Sequence, residues 1–214
     1  MTKNLAKLLT SKSEEIRVIY LSSYIPRKCG IATYTKDLTN AINLLNPHDL
    51  AEIMAITRPN ERINYPWEVK YKIKQEELHT YLEAANYINQ SGTDIISLQH
   101  EYGLYGSQSG EYIIPFVESL KKPLVTTLHT VPEDSNGLEG VILKRLIKKS
   151  DAVVVMMEKI KEKLVNKYNA PREKVIAIPH GTPDLPFAHP DTYKESKQLS
   201  GRIILGNLNL LTST

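Results

Sequence analysis

Tyr24-Ile25-Pro26-Arg27-Lys28-Cys29-Gly30-Ile31-Ala32-Thr33-Tyr34 decides how this chain folds, because two hydrophobic periods meet on it. Before it, Ile16 to Leu21 is a short apolar run with β-branched residues, which predicts a buried strand. After it, Tyr34, Leu38, Ala41, Ile42 and Leu45 recur at helical spacing. They predict a helix over 33–45 that Asn46-Pro47 stops. The stretch is therefore a strand-to-helix loop holding a Pro, two cations and one Gly. A Gly at a helix entrance lets backbone approach a ligand closely, and the free N–H groups of the first turn favour an anion, phosphate above all. The same residues also suit a plain strand-loop-helix turn, since one Gly is much less than a full dinucleotide fingerprint.

Outward from this loop, apolar strands alternate with amphipathic helices. Further strands are predicted at 51–56, 94–98, 124–128, 152–156 and 175–178, and helices at 76–90, 111–120, 138–149 and 158–168. Val69, Tyr71 and Ile73 alternate with Lys, which predicts a half-exposed strand near a sheet edge. Pro115 fits the 111–120 helix only near its start. Strand-helix alternation of this kind predicts a parallel sheet with helices on both faces. Residues 1–15 read as a leader and 182–200, aperiodic and with several Pro, as a linker. Gly201 to Leu205 reads as a new strand, so 201–214 is expected to open a second domain that stops short.

Composition excludes several classes. The chain has 214 residues, 41% hydrophobic and 24% charged, enough for a sizeable buried core. A net charge of +3 does not call for nucleic acid as a partner. Cys29 is the only cysteine, so no internal disulfide forms, and a reducing, cytoplasmic setting is expected. No apolar run is long enough to span a bilayer. The basic helix faces Lys144–Lys149 and Lys159–Lys167 read as solvated, with peripheral contact to anionic lipid as the other option. There is no CxxC, HExxH, Walker A or GxSxG sequence, so neither a protein-built metal site nor a nucleophile elbow is expected.

Polar residues collect where the predicted strands end, the edge at which open parallel sheets bind ligands. The first strand delivers Arg27, Lys28 and Gly30, the 94–98 strand His100, Glu101 and Tyr102, and the 124–128 strand His129 and Thr130. His180 follows the last strand, between Pro179 and Gly181, where a structural role is expected. Each has a bland alternative: a strand-end His bonded to backbone, a solvated Glu, a Tyr that covers the sheet edge.

Four motifs then carry a resemblance. Pro26 to Tyr34, Gln99-His100-Glu101-Tyr102-Gly103, Thr127-Leu128-His129-Thr130 and Ile178-Pro179-His180-Gly181 come in the order, and after the strands, seen in family 4 glycosyltransferases. Over 16–205 the chain resembles the amino-terminal half of such an enzyme. The resemblance implies a GT-B fold, whose amino-terminal half is a Rossmann-like open parallel sheet, here 16–181, that mostly binds the acceptor. It implies transfer of a sugar from a nucleotide-sugar with retention and without a metal or other cofactor. It implies that Gly30, Ile31, Thr33 and Arg27 serve the donor phosphates and sugar, that His129 lies at the reacting centre, and that His100, Glu101 and Tyr102 shape an acceptor or sugar pocket. The acceptor is expected to be a carbohydrate or a lipid-linked sugar. The family's basic pair and paired glutamates are not found before Thr214, so the chain alone is expected to transfer sugar poorly and to be prone to self-association. A non-catalytic Rossmann-like binding or partner domain is the alternative.

Overall fold

The computed structural model describes residues 16–182 and 189–205. Seven strands form one sheet: β1 (Val18–Ser22), β2 (Glu52–Thr57), β3 (Val69–Lys74), β4 (Ile95–His100), β5 (Leu124–Leu128), β6 (Ala152–Val155) and β7 (Val175–Ala177). Their spatial order is β3-β2-β1-β4-β5-β6-β7, and every neighbouring pair is parallel. The helices between them are α1 (Gly30–Leu45), α2 (Leu78–Gln90), α3 (Ile113–Ser119), α4 (Leu138–Lys149) and α5 (Glu158–Tyr168). This is a Rossmann-like α/β sheet. The chain winds outward from β1 to the edge strand β3 and then returns to β4 beside β1, so the winding reverses between β1 and β4. The two connections leave those strands in opposite directions and part above their carboxyl ends, which opens a crevice there.

The period-2 alternation of the central strands divides the core between the two faces. Ile19 and Leu21 of β1 and Ile96 and Leu98 of β4 pack with Tyr81, Ala84, Ala85 and Ile88 of α2 and with Ile142 and Leu146 of α4. Tyr20, one residue out of step, packs on the other face with Ile53, Ala55 and Leu38 of α1. Ser22 and Thr35 share a buried 2.7 Å hydrogen bond that ties β1 to α1. Among the described residues the β2–β3 connection carries no helix. It is pinned to α1 instead by Glu68, which accepts from Lys36 Nζ at 2.9 Å and from the Tyr24 hydroxyl at 3.1 Å.

Three elements match their expected bounds: β5, α4 and α5. Two differences matter for the site. First, α1 begins at Gly30 rather than at 33, so Gly30 is the first helical residue. Second, β4 runs on to His100, because Gln99 and His100 continue the ladder opposite Thr127 and Leu128 of β5. Pro115 is the third residue of a short α3, where a missing N–H costs the helix nothing.

The chain divides after Pro179. In the second unit a short helix, α6 (Pro190–Ser196), lies inside the stretch expected to be a linker, with His189 as its N-cap. Gly201 to Leu205 forms no strand, and Ile203 and Leu205 are almost fully exposed. A strand needs a partner for its backbone groups, which a hydrophobic run by itself does not provide. The expected leader, 1–15, and most of the expected second-domain start, 206–214, lie outside the described residues.

Candidate functional site

Two layers of groups surround the β1/β4 crevice. The first is backbone. α1 follows Cys29, whose extended conformation (φ −155°, ψ 135°) turns the chain into the helix. The first i→i+4 bond runs from the Thr33 N–H to the Cys29 carbonyl at 3.2 Å, so the N–H groups of Gly30, Ile31 and Ala32 precede the ladder. Gly30 is exposed, and a Cβ added to it would meet nothing within 4 Å. Ile31 is half-buried against the core, and Thr33 is exposed, its hydroxyl 3.4 Å from the Cys29 carbonyl. The macrodipole of a 16-residue helix adds partial positive charge at this entrance.

The second layer is side chain. Ser97 and Gln99 lie two residues apart on β4 and therefore on one face. The buried Gln99 amide donates to Ser97 Oγ at 3.3 Å and meets His129 Nε2 through Oε1 at 3.1 Å. The backbone N–H of His129 donates to the His100 carbonyl at 3.0 Å. The Tyr34 ring of α1 meets the His129 ring edge-on, 4.9 Å between centroids. Beside it, Glu101 accepts from the Tyr102 N–H at 2.9 Å and from the Thr130 hydroxyl at 2.6 Å. Glu101, His129, Thr130 and the α1 entrance thus converge from three successive parallel strands.

Three expected site residues are placed elsewhere. His100, on the opposite face of β4 from Gln99, is fully buried, between an edge-on Tyr102 ring at 4.8 Å and a stacked Tyr105 ring at 5.9 Å. Neither ring nitrogen of His100 has a hydrogen-bond partner, and burial, with the nearby His129 second, pushes its pKa down to about 3. It is a neutral core residue. Tyr102 is buried too; its hydroxyl donates to the Glu139 carbonyl of α4 at 3.2 Å and docks that helix. Arg27 is 5% exposed and donates through Nη1 to the Ile56 carbonyl at 3.1 Å, closing the end of β2. The exposed cation of this loop is Lys28. The physical reason is common to all three: the edge of the sheet needs its own cover, and residues that follow apolar strands supply it.

Gln99 and Tyr34 were not singled out by residue chemistry. Extending the β4 alternation past Leu98 would have put Gln99 on the α1 face; Tyr34 carries only the helical signal of an ordinary core position. Cys29 is half-buried, with Ser23 Oγ at 3.4 Å from its sulfur. Burial pushes the thiol pKa up, but the Ser23 hydroxyl, the N–H groups of Ala32 and Ile31 and the charge of Arg27 outweigh it and lower the pKa overall. Among the described residues no three His, Cys, Asp or Glu side chains gather to hold a metal ion, and no helix is long and apolar enough to cross a membrane. His180, in the second unit, is exposed and bonds through Nδ1 to the Gly181 carbonyl at 2.7 Å.

The reversal of winding between β1 and β4, with a helix entrance on one side and strand-end polar groups on the other, makes this a doubly wound domain of the kind that binds ligands at its switch point. The family described as Glycosyltransferase Family 4 matches residues 30–184, most of the chain, and the chain belongs to that family. Its fold is similar to that of a glycosyltransferase from Rickettsia africae ESF-5, with a TM-score of 0.56 and 14% identity, over 88% of this chain and 51% of that one. The chain thus spans about half the length of that protein. A looser likeness, TM-score 0.44 and 10% identity over 67% of this chain and 37% of the other, is to an alpha-glucosyltransferase solved with UDP and a 13-mer DNA. No curated protein matches in sequence.

Proposed function

We propose that this chain is the acceptor-side lobe of a retaining glycosyltransferase that moves a hexosyl group from a nucleotide-sugar to a carbohydrate or lipid-linked acceptor. One observation carries the reading: the α1 entrance, His129 and the Glu101–Thr130 pair converge at the switch point of a family 4 domain. Departure of a nucleoside diphosphate concentrates negative charge on the leaving phosphates. The first-turn N–H of Gly30, the helix dipole and the exposed Lys28 offset that charge without a metal ion. Fixed dipoles of this kind need no reorganisation as the bond breaks. His129 faces the same crevice and contacts the sugar at the reacting centre. Glu101 and Thr130 hydrogen-bond hydroxyls of the acceptor. The carboxyl-terminal lobe of such an enzyme supplies most of the donor contacts, so the lobe described here turns over little sugar without one.

The test is a transfer assay with a panel of nucleotide-sugars, run on the purified chain alone and with a separately supplied donor-binding lobe of a family 4 enzyme. Transfer is expected only in the second case, and His129→Ala should lower it by about 100-fold or more. Robust turnover by the chain alone would overturn the division of labour between lobes. Absence of transfer with every donor and lobe would overturn the transferase reading.

A further inference from the structure

We infer that the β3 edge of the sheet docks on an anionic lipid bilayer, with the Trp67 indole at headgroup level and Lys70 and Lys72 against the lipid phosphates. Such docking is independent of sugar transfer and holds equally for a chain that transfers none.

The charge of the chain is concentrated at this edge. Residues 58–74 carry five cations, Arg58, Arg62, Lys70, Lys72 and Lys74, against two carboxylates, Glu61 and Glu68, a surplus as large as the net +3 of the whole chain. Little of that surplus is used within the protein. Glu68 is taken by Lys36 at 2.9 Å, and Lys74 pairs with Glu77 at 3.1 Å. Among the described residues no carboxylate comes within ion-pair reach of Arg58, Arg62, Lys70 or Lys72, and all four are exposed.

The strand ladder explains how two of these cations meet two aromatic rings. Ile53 pairs with Val69 but Met54 with Tyr71, so Lys70 is an extra residue on β3. Tyr71 and Ile73 then pack toward α2, which turns Lys72 to the opposite face. Lys72 Nζ lies over the Tyr65 ring, 5.4 Å from its centroid, and Lys70 Nζ over the Trp67 ring at 5.0 Å. Among the described residues the β2–β3 connection carries no helix, and Trp67 is left 66% exposed. Lysines by themselves are what an edge strand needs to repel another strand. An exposed indole beside the same edge does the reverse, so edge protection does not account for it. A ring with an ammonium over it suits the boundary between hydrocarbon and headgroups, where the ring leaves water and the cation meets anionic lipid. Nucleic acid suits this pair of rings less, because each has one face occupied on which a base would stack.

The experiment uses the full chain with vesicles of phosphatidylcholine containing about one-third phosphatidylglycerol, against phosphatidylcholine alone. Trp67 is the only tryptophan, so intrinsic fluorescence reports on this residue. On the anionic vesicles its emission should shift to the blue and be quenched by lipids brominated on their acyl chains, and both effects should vanish in about 1 M salt. In co-sedimentation Lys70→Gln/Lys72→Gln should bind the anionic vesicles about 30-fold more weakly than wild type. Trp67→Ala should bind them about 10-fold more weakly. Lys144→Gln/Lys148→Gln, on the basic face of α4, should bind as wild type does. No blue shift, undiminished binding by Trp67→Ala or by Lys70→Gln/Lys72→Gln, or a loss seen only in Lys144→Gln/Lys148→Gln would each overturn the inference. So would a larger Trp67 response to a single-stranded oligonucleotide than to the anionic vesicles.

Discussion

The β1–α1 loop and the end of β4 flank the same crevice and differ in what they present to it. The loop offers backbone. Gly30 is exposed with open space where a Cβ would stand, and the first-turn N–H groups come before the helical ladder. The β4 end offers almost nothing of its own surface. His100, Tyr102 and Tyr105 are turned inward, and their rings pack against one another to cover the sheet edge. Gly103 has open space as Gly30 does, but a Cβ on Gly106 would collide with the Gln75 carbonyl. Two segments that both carry Gly and aromatic residues thus do opposite work. One leaves space open at Gly30, and the other fills space so that Gln99, His129, Glu101 and Thr130 stand in fixed positions.

The largest expected effect is at Gly106. Gly106→Ala forces backbone apart and should cost about 3 kcal/mol or abolish folding, measured by urea unfolding of the chain. A near-neutral result would break the claim that the β4 end is packed solid. Next comes His100→Phe, read as a function of pH. Burial lowers the folded-state pKa of His100 to about 3 from an ordinary value near 6.5. Its contribution is therefore fully present above pH 6.5 and is lost as pH falls toward 3, by about 1.4 kcal/mol per pH unit. The Phe variant should lose that slope and exceed wild type by about 2 kcal/mol near pH 5, relative to their difference at pH 8. Parallel pH profiles would mean that His100 is hydrated and exchanges with the crevice.

Tyr105→Phe removes a hydroxyl that donates to the Gln99 carbonyl at 2.6 Å inside the core. It should cost about 1 to 2 kcal/mol in the same unfolding assay. Unchanged stability would mean that the β4 end is not packed solid around this hydroxyl. Gly30→Ala should be smallest for stability, a change of less than about 1 kcal/mol toward the stabilised side, since Ala suits a helix better than Gly. If that variant also loses nucleotide-sugar binding, titrated with the complementary lobe present, the comparison sharpens into one between a ligand surface and a packed one. If it unfolds as readily as Gly106→Ala, the comparison fails.

Most of the fold was legible from periodicity. The Ile16–Leu21 run became β1, the Lys-alternating segment became the edge strand β3, and β5, α4 and α5 kept their expected ends. The linker and the last strand were not legible, because α6 is short and lacks an apolar face, and Gly201 to Leu205 has no strand beside it among the described residues. The basic helix faces also read as more charged than they are: Arg145 is paired with Glu118 at 2.7 Å, and Lys163 with Glu133 at 2.7 Å. Glu133 lies outside α5, so no helical spacing reveals that second pair.

The sequence by itself determined the element order, the parallel sheet and the edge at which polar groups gather, since each depends on local periodicity and on chain connectivity. Only the tertiary structure decided which of those groups face the crevice. Leu98 and Gln99 are consecutive, and two more residues of strand turned His100 into the core and left Gln99 beside His129. Where a strand ends is fixed by the neighbouring strand that continues its hydrogen bonds, here β5 across residues 99 and 100, and that partner is far away in sequence.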